Sequence, residues 1–167
     1  MSKYHSILEL DLRFNPQFGK FASIQDCADS INKPHPDYPL LVKTTEDLIR
    51  TLVDEPIYVT IADVLSIHSI VGRQLLDDIQ QIGAFRNHEV KVIHPDSGRV
   101  KHHPPDFRNI HSLMDKILPL TIYDNLEEWY KAFQIIHPFS DGNGRVGGII
   151  YTATKYLHTG NWYAPKQ

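Results

Sequence analysis

One short stretch near the C-terminal end of the chain carries the strongest structural signal. Residues 137–148 read His137-Pro138-Phe139-Ser140-Asp141-Gly142-Asn143-Gly144-Arg145-Val146-Gly147-Gly148. A proline disfavours helical geometry at the residue before it, so a preceding helix ends at the His-Pro pair. A largely apolar helical pattern resumes at Val146 and ends at Gly160. The stretch is therefore predicted to be a tight polar loop between two helices.

The middle of this loop has the composition of an anion site. Glycine adopts backbone conformations that other residues resist, so the N–H groups of Gly142, Asn143 and Gly144 can converge. They meet the unsatisfied donors and the positive dipole end of the next helix, which together bind phosphate. Arg145 adds a planar cation suited to phosphate oxygens. Taken alone, a Gly-Asn-Gly segment is often only a turn, and that alternative stays open for these three residues.

Two further loop residues supply chemistry beside the anion site. Asp141 is a hard oxygen ligand of the kind that magnesium takes when it bridges phosphates. His137 is a candidate general base, because an unperturbed pKa of about 6.5 leaves much of it neutral near pH 7. A base, a metal ligand and an oxyanion cradle in one loop indicate phosphoryl or nucleotidyl transfer. Phe139 is predicted to be an apolar anchor for the loop.

Outside the loop, the pattern is mostly helical. Apolar residues recur at helical spacing over residues 44–53, 61–79, 106–118 and 124–137. Thr60 with Asp63, and Asp124 with Glu127, resemble capping boxes. Short β-like pieces at residues 90–93 and 99–101 flank turn residues, which predicts a hairpin. Residues 1–40 show weak periodicity and several breakers, so an irregular arm is expected there, followed by one all-α domain over residues 41–167.

Composition and charge exclude several classes of protein. Lys and Arg number 17 against 20 Asp and Glu, a net charge of −3, which gives no pull toward nucleic acid or an anionic membrane. Cys27 cannot form an internal disulfide, which suits a reducing compartment. No run of about 18 apolar residues occurs, and the first residues lack the apolar core of a secretory signal. A cytoplasmic protein is expected, although an effector exported without a cleaved signal would have the same features.

Histidines are numerous, and several fall in the predicted hairpin and the helix after it. These are His94, His102, His103 and His111. A zinc site needs three or four converging ligands, and adjacent strand residues point to opposite faces, so no zinc cluster is predicted. His68 is predicted to be a hydrogen-bonded core residue. No Walker-type phosphate loop and no Gly-x-Ser-x-Gly elbow occurs in the sequence.

The loop resembles the signature of the Fic family, His-x-Phe-x-(Asp or Glu)-Gly-Asn-Gly-Arg-x-x-Arg. The matching positions are His137, Phe139, Asp141, Gly142, Asn143, Gly144 and Arg145. More weakly, residues 83–86, the hairpin and the Pro104-Pro105 pair resemble the family's substrate-positioning flap and its exit. The resemblance covers residues from about 44 to the end, and it implies a Fic-type helical core with a short β-hairpin flap.

The resemblance also implies an activity, namely transfer of AMP from Mg²⁺-bound ATP to a hydroxyl side chain of a target protein. His137 would take the proton of that hydroxyl, and Asp141 would hold the magnesium ion. The anion hole would consist of Gly142, Asn143 and Gly144, with Arg145 on the phosphate chain. The flap would pair with the target backbone by strand addition, through Val90, Lys91, Val92 and Ile93.

The sequence departs from the family pattern at Gly148, where the family has its final Arg. Loss of one charge-assisted contact costs about 1.5–3 kcal/mol, which slows a reaction roughly ten- to a hundredfold. Transfer from another phosphate-containing donor, and a catalytically weak peptide-binding module, therefore stay open as alternatives. Residues 51–55 match the family's inhibitory pattern only in part, so Glu55 is expected to end an ordinary helix. Since the family core generally continues well beyond this motif, the chain is either a minimal version or part of a longer one.

Overall fold

The computed structural model describes residues 2–32, 39–55, 58–94 and 96–166. Seven α-helices lie in these ranges: α1 (His5–Leu8), α2 (Ile24–Asn32), α3 (Pro39–Asp54), α4 (Ile61–Gly72), α5 (Ile110–Ile117), α6 (Leu126–Ile136) and α7 (Asn143–Thr159). The strands in these ranges are β1 (Gln17–Phe21), β2 (Val92–Ile93), β3 (Val100–His102) and β4 (Trp162–Lys166). Short 3₁₀ turns lie at Ile79–Gln81 and Phe107–Asn109. The prolines at 34, 36, 56 and 95, which entered the predicted breaks and turn, lie outside the described residues.

Helix α7 forms the centre of the fold. Every residue of its middle part, 146–154, is buried. The helix contacts α2, α3, α4, α6 and β4, so it is surrounded by other elements, as expected for a helix that is apolar on most faces. Because α7 begins immediately after the Gly-rich loop, this packing also fixes the position of the loop. Within the part of the chain that the structure covers, no helix is both long and apolar enough to cross a bilayer.

The first forty residues correct the prediction of an irregular arm. Helix α2 buries Ile24, Cys27, Ala28 and Ile31, at the i, i+3, i+4 and i+7 positions of one helical face. Strand β1 pairs antiparallel with β4, from Gln17 opposite Lys166 to Phe21 opposite Trp162. The arm is therefore part of the core. Neither strand was predicted, because β1 is a short run with a glycine in the middle and its partner lies at the other end of the chain.

The predicted hairpin is present but shorter than expected. Strands β2 and β3 pair antiparallel, with Val92 opposite His102 and Ile93 opposite Val100. Val90 and Lys91, which were assigned to the first strand, precede it. The register shifts between the two β2 residues, and this irregularity limits the ladder to its short length.

Helix starts were predicted with mixed success. The capping box of Thr60 and Asp63 is confirmed, since each side chain accepts the other residue's N–H at the start of α4. At α6 the prediction is wrong by one residue, because Asn125 caps the helix by accepting the Glu128 N–H. Asp124 instead accepts the N–H of Thr121 in the preceding turn. Helix α4 also ends at Gly72, earlier than the periodicity indicated, where 3₁₀-type bonds tighten the chain.

Candidate active site

His137 lies at the end of α6 in a left-handed backbone conformation. Its φ of 51° and ψ of 63° end the helix, and its N–H still donates to the Phe133 carbonyl at 3.0 Å. Among the described residues it alone has a positive φ without being glycine. Such a conformation costs about 1–3 kcal/mol and persists only where neighbouring contacts enforce it.

Arg86 provides that enforcement. The residue is 2% exposed, and its Nε donates to the His137 carbonyl at 2.7 Å. Its Nη2 donates to the carbonyls of Pro105 at 2.6 Å and Ile136 at 3.3 Å, and its backbone N–H donates to Pro138 O at 2.9 Å. A helix C-terminus leaves carbonyls unpaired and favours a cation. Arg86 thus clamps the end of α6, a role that sequence reasoning did not assign to it.

His68 holds the opposite side of the loop. The Gly83 N–H donates to its Nδ1 at 3.0 Å, so Nε2 carries the proton and donates to the Asp141 carbonyl at 2.9 Å. Its ring stacks on Phe139, with centroids 3.8 Å apart and planes 4° from parallel. Burial lowers the pKa of His68, which agrees with a neutral ring. The predictions of a core histidine and of Phe139 as a buried anchor are both confirmed.

The side chain of Asn143 closes the loop on itself. Its Oδ1 accepts the Phe139 N–H at 2.9 Å and its Nδ2 donates to the Phe139 carbonyl at 2.8 Å. Gln134 Nε2 also donates to the Asn143 carbonyl at 3.0 Å. Since both ends of the Asn143 side-chain amide bond to Phe139, the side chain holds the loop, and the backbone N–H is the group that points to the predicted anion hole.

The N-terminus of α7 has the geometry of an anion cradle. Gly142 precedes the helix with a φ of 88°, and no side chain caps it. The first intrahelical hydrogen bond runs from the Val146 N–H to Gly142 O at 2.9 Å. The N–H groups of residues 143–145 therefore have no acceptor within the helix. A Cβ at Gly142 would lie 3.3 Å from Leu75, in a conformation that side chains rarely adopt. The predicted glycine requirement therefore has a local physical basis.

Asp141 is exposed at the tip of the loop. Its Oδ1 accepts the Gly142 N–H at 2.7 Å, which fixes the carboxylate beside the cradle and takes that N–H out of it. For the second carboxylate oxygen, no hydrogen-bond partner occurs in the described part of the chain. A solvent-facing carboxylate next to a phosphate cradle fits magnesium, which is usually bound by one or two carboxylates together with substrate phosphates.

Arg145 lies on the first turn of α7 and contacts α2. Its Nε donates to Asn32 Oδ1 at 2.9 Å. Asn32 is buried and oriented by its own Nδ2, which donates to Ala28 O at 2.7 Å and Thr45 Oγ1 at 3.0 Å. Sequence reasoning missed Asn32, because nothing in the local pattern of α2 links it to a loop more than a hundred residues away.

Gly148 lies one turn further along α7, against the same helix. A Cβ built on it would be 2.9 Å from Ile31 Cγ1 and 3.1 Å from Cγ2. The space that a side chain at this position would need is therefore filled by α2. Glu55, by contrast, lies exposed directly after α3, the helix that ends at Asp54.

The ring of His137 lines a cavity of about 210 Å³, together with Gln134, Gly144, Val92 and His102. Burial and the nearby charges of Arg86 and His102 lower the pKa of His137 to about 4. The ring is therefore neutral at pH 7 and able to accept a proton. Of the four predicted flap residues, Val92 lines this cavity, whereas Lys91 and Ile93 are exposed and Val90 is half-buried.

His102 connects the hairpin to the end of α6. Its Nε2 lies 2.7 Å from the Ile135 carbonyl and its Nδ1 lies 2.8 Å from Asp11 Oδ2, with both side chains buried. His102 thereby bridges Asp11 and the last turn of α6. Burial raises the pKa of Asp11, but hydrogen bonds from His102 and the Arg13 N–H outweigh burial and hold it below its ordinary value.

The remaining histidines of this region do not converge. His94, His103 and His111 are exposed, and only His102 is buried. In the ranges that the structure describes, no group of three or more His, Cys, Asp or Glu side chains is arranged to hold a metal ion.

The fold and the site define a small helical protein in which an uncapped helix N-terminus lies beside a neutral, half-buried histidine. The model of the Fic/DOC family matches residues 58–153, which is more than half of the chain. The chain belongs to the Fic/DOC family. Membership supports a Fic-type transferase in general. No match was found among curated proteins.

Two solved structures share the fold. A Fic family protein from Desulfovibrio desulfuricans G20 superposes with a TM-score of 0.55 at 20% identity, over 95% of this chain and 47% of that chain. A Fic domain containing signaling protein from Bacteroides thetaiotaomicron VPI-5482 gives a TM-score of 0.56 at 14% identity, over 94% of this chain and 65% of that one. This chain thus spans about half the length of the first and less than two thirds of the second. At these identities the likeness concerns the fold.

Proposed function

We propose that the protein transfers AMP from Mg²⁺-bound ATP to a hydroxyl side chain of a target protein. One observation carries the proposal. A histidine that is neutral at pH 7 and the uncapped N-terminus of α7 lie at the two ends of a single short loop. A base and an anion cradle at this spacing are what an attack by a hydroxyl on a phosphate requires.

In the proposed reaction, His137 accepts the proton of the target hydroxyl as its oxygen forms a bond to the α-phosphorus of ATP. The bond from that phosphorus to the bridging oxygen breaks, and pyrophosphate leaves. The N–H groups of residues 143–145 and the guanidinium of Arg145 bind phosphate oxygens, and Asp141 would hold the magnesium ion that arrives with ATP. Magnesium would neutralise charge on the departing phosphates.

A pKa of about 4 makes His137 a weak base in the free protein. Bound phosphates place negative charge next to the loop, and a nearby opposite charge favours the protonated form of an imidazole. The pKa of His137 therefore rises when the nucleotide binds, so the histidine becomes a stronger base in the complex that needs it.

The test is transfer of label from [α-³²P]ATP to candidate partner proteins or to the chain itself. Replacing His137 with alanine should lower transfer about 10²- to 10⁴-fold, the usual contribution of a general base. The matched control is His88→Ala, since His88 is exposed and does not line the cavity. Equal labelling by wild type and His137→Ala would refute the mechanism.

A second candidate is transfer from a different phosphate-containing donor, and the packing of Gly148 against Ile31 favours it. With α2 in that space, the outer phosphates of ATP lack the cation that the family motif supplies there. Unlabelled UTP, GTP, CTP and CDP-choline should each be competed against labelled ATP. If one of them suppresses labelling better than unlabelled ATP, the donor is that compound and the AMP assignment is wrong.

A further inference from the structure

A second cavity, of about 490 Å³, adjoins the cavity of His137. The two have four lining residues in common: Phe14, Pro16, Lys101 and Lys166. Arg13 and His94 also line the second cavity, which we call the basic cleft. A molecule bound in the basic cleft therefore lies next to the proposed catalytic base.

The basic cleft is positively charged, whereas the chain as a whole is negatively charged. Lys101 lies on β3, Lys166 on β4 and Arg13 between α1 and β1, and no carboxylate is among the described residues that line the cleft. The chain as a whole carries a net charge of −3. Asp11, 3.9 Å from Arg13 Nε, is already bonded to His102. Grouping like charges opposes folding, so the arrangement is best explained by a ligand of opposite charge.

Backbone structure holds two of these cations in place. Lys166 is the last residue of β4, and its stem lies across Gly19 of β1, where an added Cβ would be 2.5 Å from Lys166 Cε. Lys101 lies on β3, which pairs with β2, and it lines both cavities together with Lys166. Both side chains face the cleft because of the strand pairing around them.

We propose that the basic cleft receives an acidic segment of the protein target while the neighbouring hydroxyl enters the cavity of His137. This inference rests on the proposed function and adds the chemical character of the target. Phe14, Pro16 and Val100 give the cleft apolar walls, which suit a polypeptide with acidic and apolar residues together. Arg13 and His94 line the cleft but not the cavity of His137 and Gly144, so the positive charge extends beyond the proposed phosphate site.

The proposal is tested by fluorescence anisotropy without nucleotide, using the peptide Glu-Val-Glu-Thr-Glu-Val-Glu. Its controls have Gln or Lys in place of Glu. We expect the Glu peptide to bind about tenfold more tightly than the Gln peptide, with affinity falling as salt rises, and the Lys peptide not to bind. The double variant Lys101→Glu, Lys166→Glu should lose this preference, whereas Lys116→Glu, exposed on α5, should keep it.

Several results would overturn the proposal. Equal binding of the Glu and Gln peptides, or a preference that survives the double reversal, removes the role of the cations. A labelled single-stranded oligonucleotide that binds as tightly as the Glu peptide would make the cleft a general polyanion site. If the double reversal fails to fold, the milder Lys101→Gln should weaken Glu-peptide binding by about two- to threefold. Because peptide binding is measured without nucleotide and without catalysis, a failure of transfer and a failure of this proposal are distinguishable.

Discussion

Replacing Gly148 with alanine tests how closely α2 packs on α7. The new Cβ would lie 2.9 Å from Ile31 Cγ1, 3.1 Å from Cγ2 and 3.3 Å from Cδ1, and both positions are buried. Alanine in place of glycine inside a helix gains about 1 kcal/mol. Overpacking a close-fitting core costs about 1–3 kcal/mol, and Ile31 is branched at Cβ and has little freedom to move away. The two effects leave the variant about 0–2 kcal/mol less stable.

The assay is urea unfolding of wild type, Gly148→Ala, Ile31→Ala and the double variant. Ile31→Ala alone should cost about 2–5 kcal/mol, as expected for a buried isoleucine. In the double variant the added methyl group occupies space that the isoleucine side chain has left. The double variant should therefore lose about 1–2 kcal/mol less stability than the two single variants lose together. Gly148→Arg should be worse than Gly148→Ala by several kcal/mol, because it forces a charged group into a buried contact. Two results together would refute the close contact of Gly148 with Ile31. Gly148→Ala would be stabilised by the full gain in helix propensity, about 1 kcal/mol, and the effects of the two single variants would add up in the double variant.

Three further predictions follow from the site. Arg86→Met should lower stability by about 2–4 kcal/mol, because the carbonyls of Ile136, His137 and Pro105 lose their donor; a thermal melt unchanged within about 2 °C would contradict the clamp. In the pH profile of kcat/KM, which reports the free protein, activity should fall near pH 4, where His137 becomes protonated. In the profile of kcat, which reports the complex, the fall should come at a higher pH. A fall of kcat/KM near pH 6.5 would contradict the lowered pKa of His137. The lowered pKa of Asp11 stabilises the fold above the ordinary carboxyl pKa of about 3.9, and this stability is lost as pH falls through the lower pKa of the folded state. In urea unfolding measured at a series of pH values, the free energy of unfolding of Asp11→Asn should therefore fall less than that of wild type as the solution is acidified.

Local sequence signals predicted the Gly-rich loop and its flanking helices well. A proline, two glycines and a renewed helical spacing of apolar residues lie within a few residues of one another. Each of these signals determines the backbone conformation of adjacent residues, so it can be read from the local sequence. The capping box of Thr60 and the buried anchor Phe139 were predicted for the same reason. The predicted cap at Asp124 was wrong, because Asp124 bonds into the turn before the helix and Asn125 caps α6.

Long-range pairings account for what the sequence did not reveal. β1 pairs with β4, although the two strands lie near opposite ends of the sequence, and Asp11 forms a hydrogen bond with His102, which is also distant in sequence. Arg145 contacts Asn32, and Arg86 contacts carbonyls near residue 137. No periodicity links such partners, because each looks like an ordinary polar residue in its own segment. Arg86 and His102 are the two of these residues that lie next to His137, so its immediate surroundings were the least predictable part of the site.

The Arg86 clamp has a consequence for how a target could enter. One guanidinium joins the start of the flap segment, its far end at Pro105, and the carbonyls that carry His137. One side chain thereby holds both ends of the flap segment to the backbone that carries His137. In the proposed reaction, a target that needs a wider entrance would obtain it by bending the hairpin tip, because moving the whole flap outward would break the bonds of Arg86 to these carbonyls.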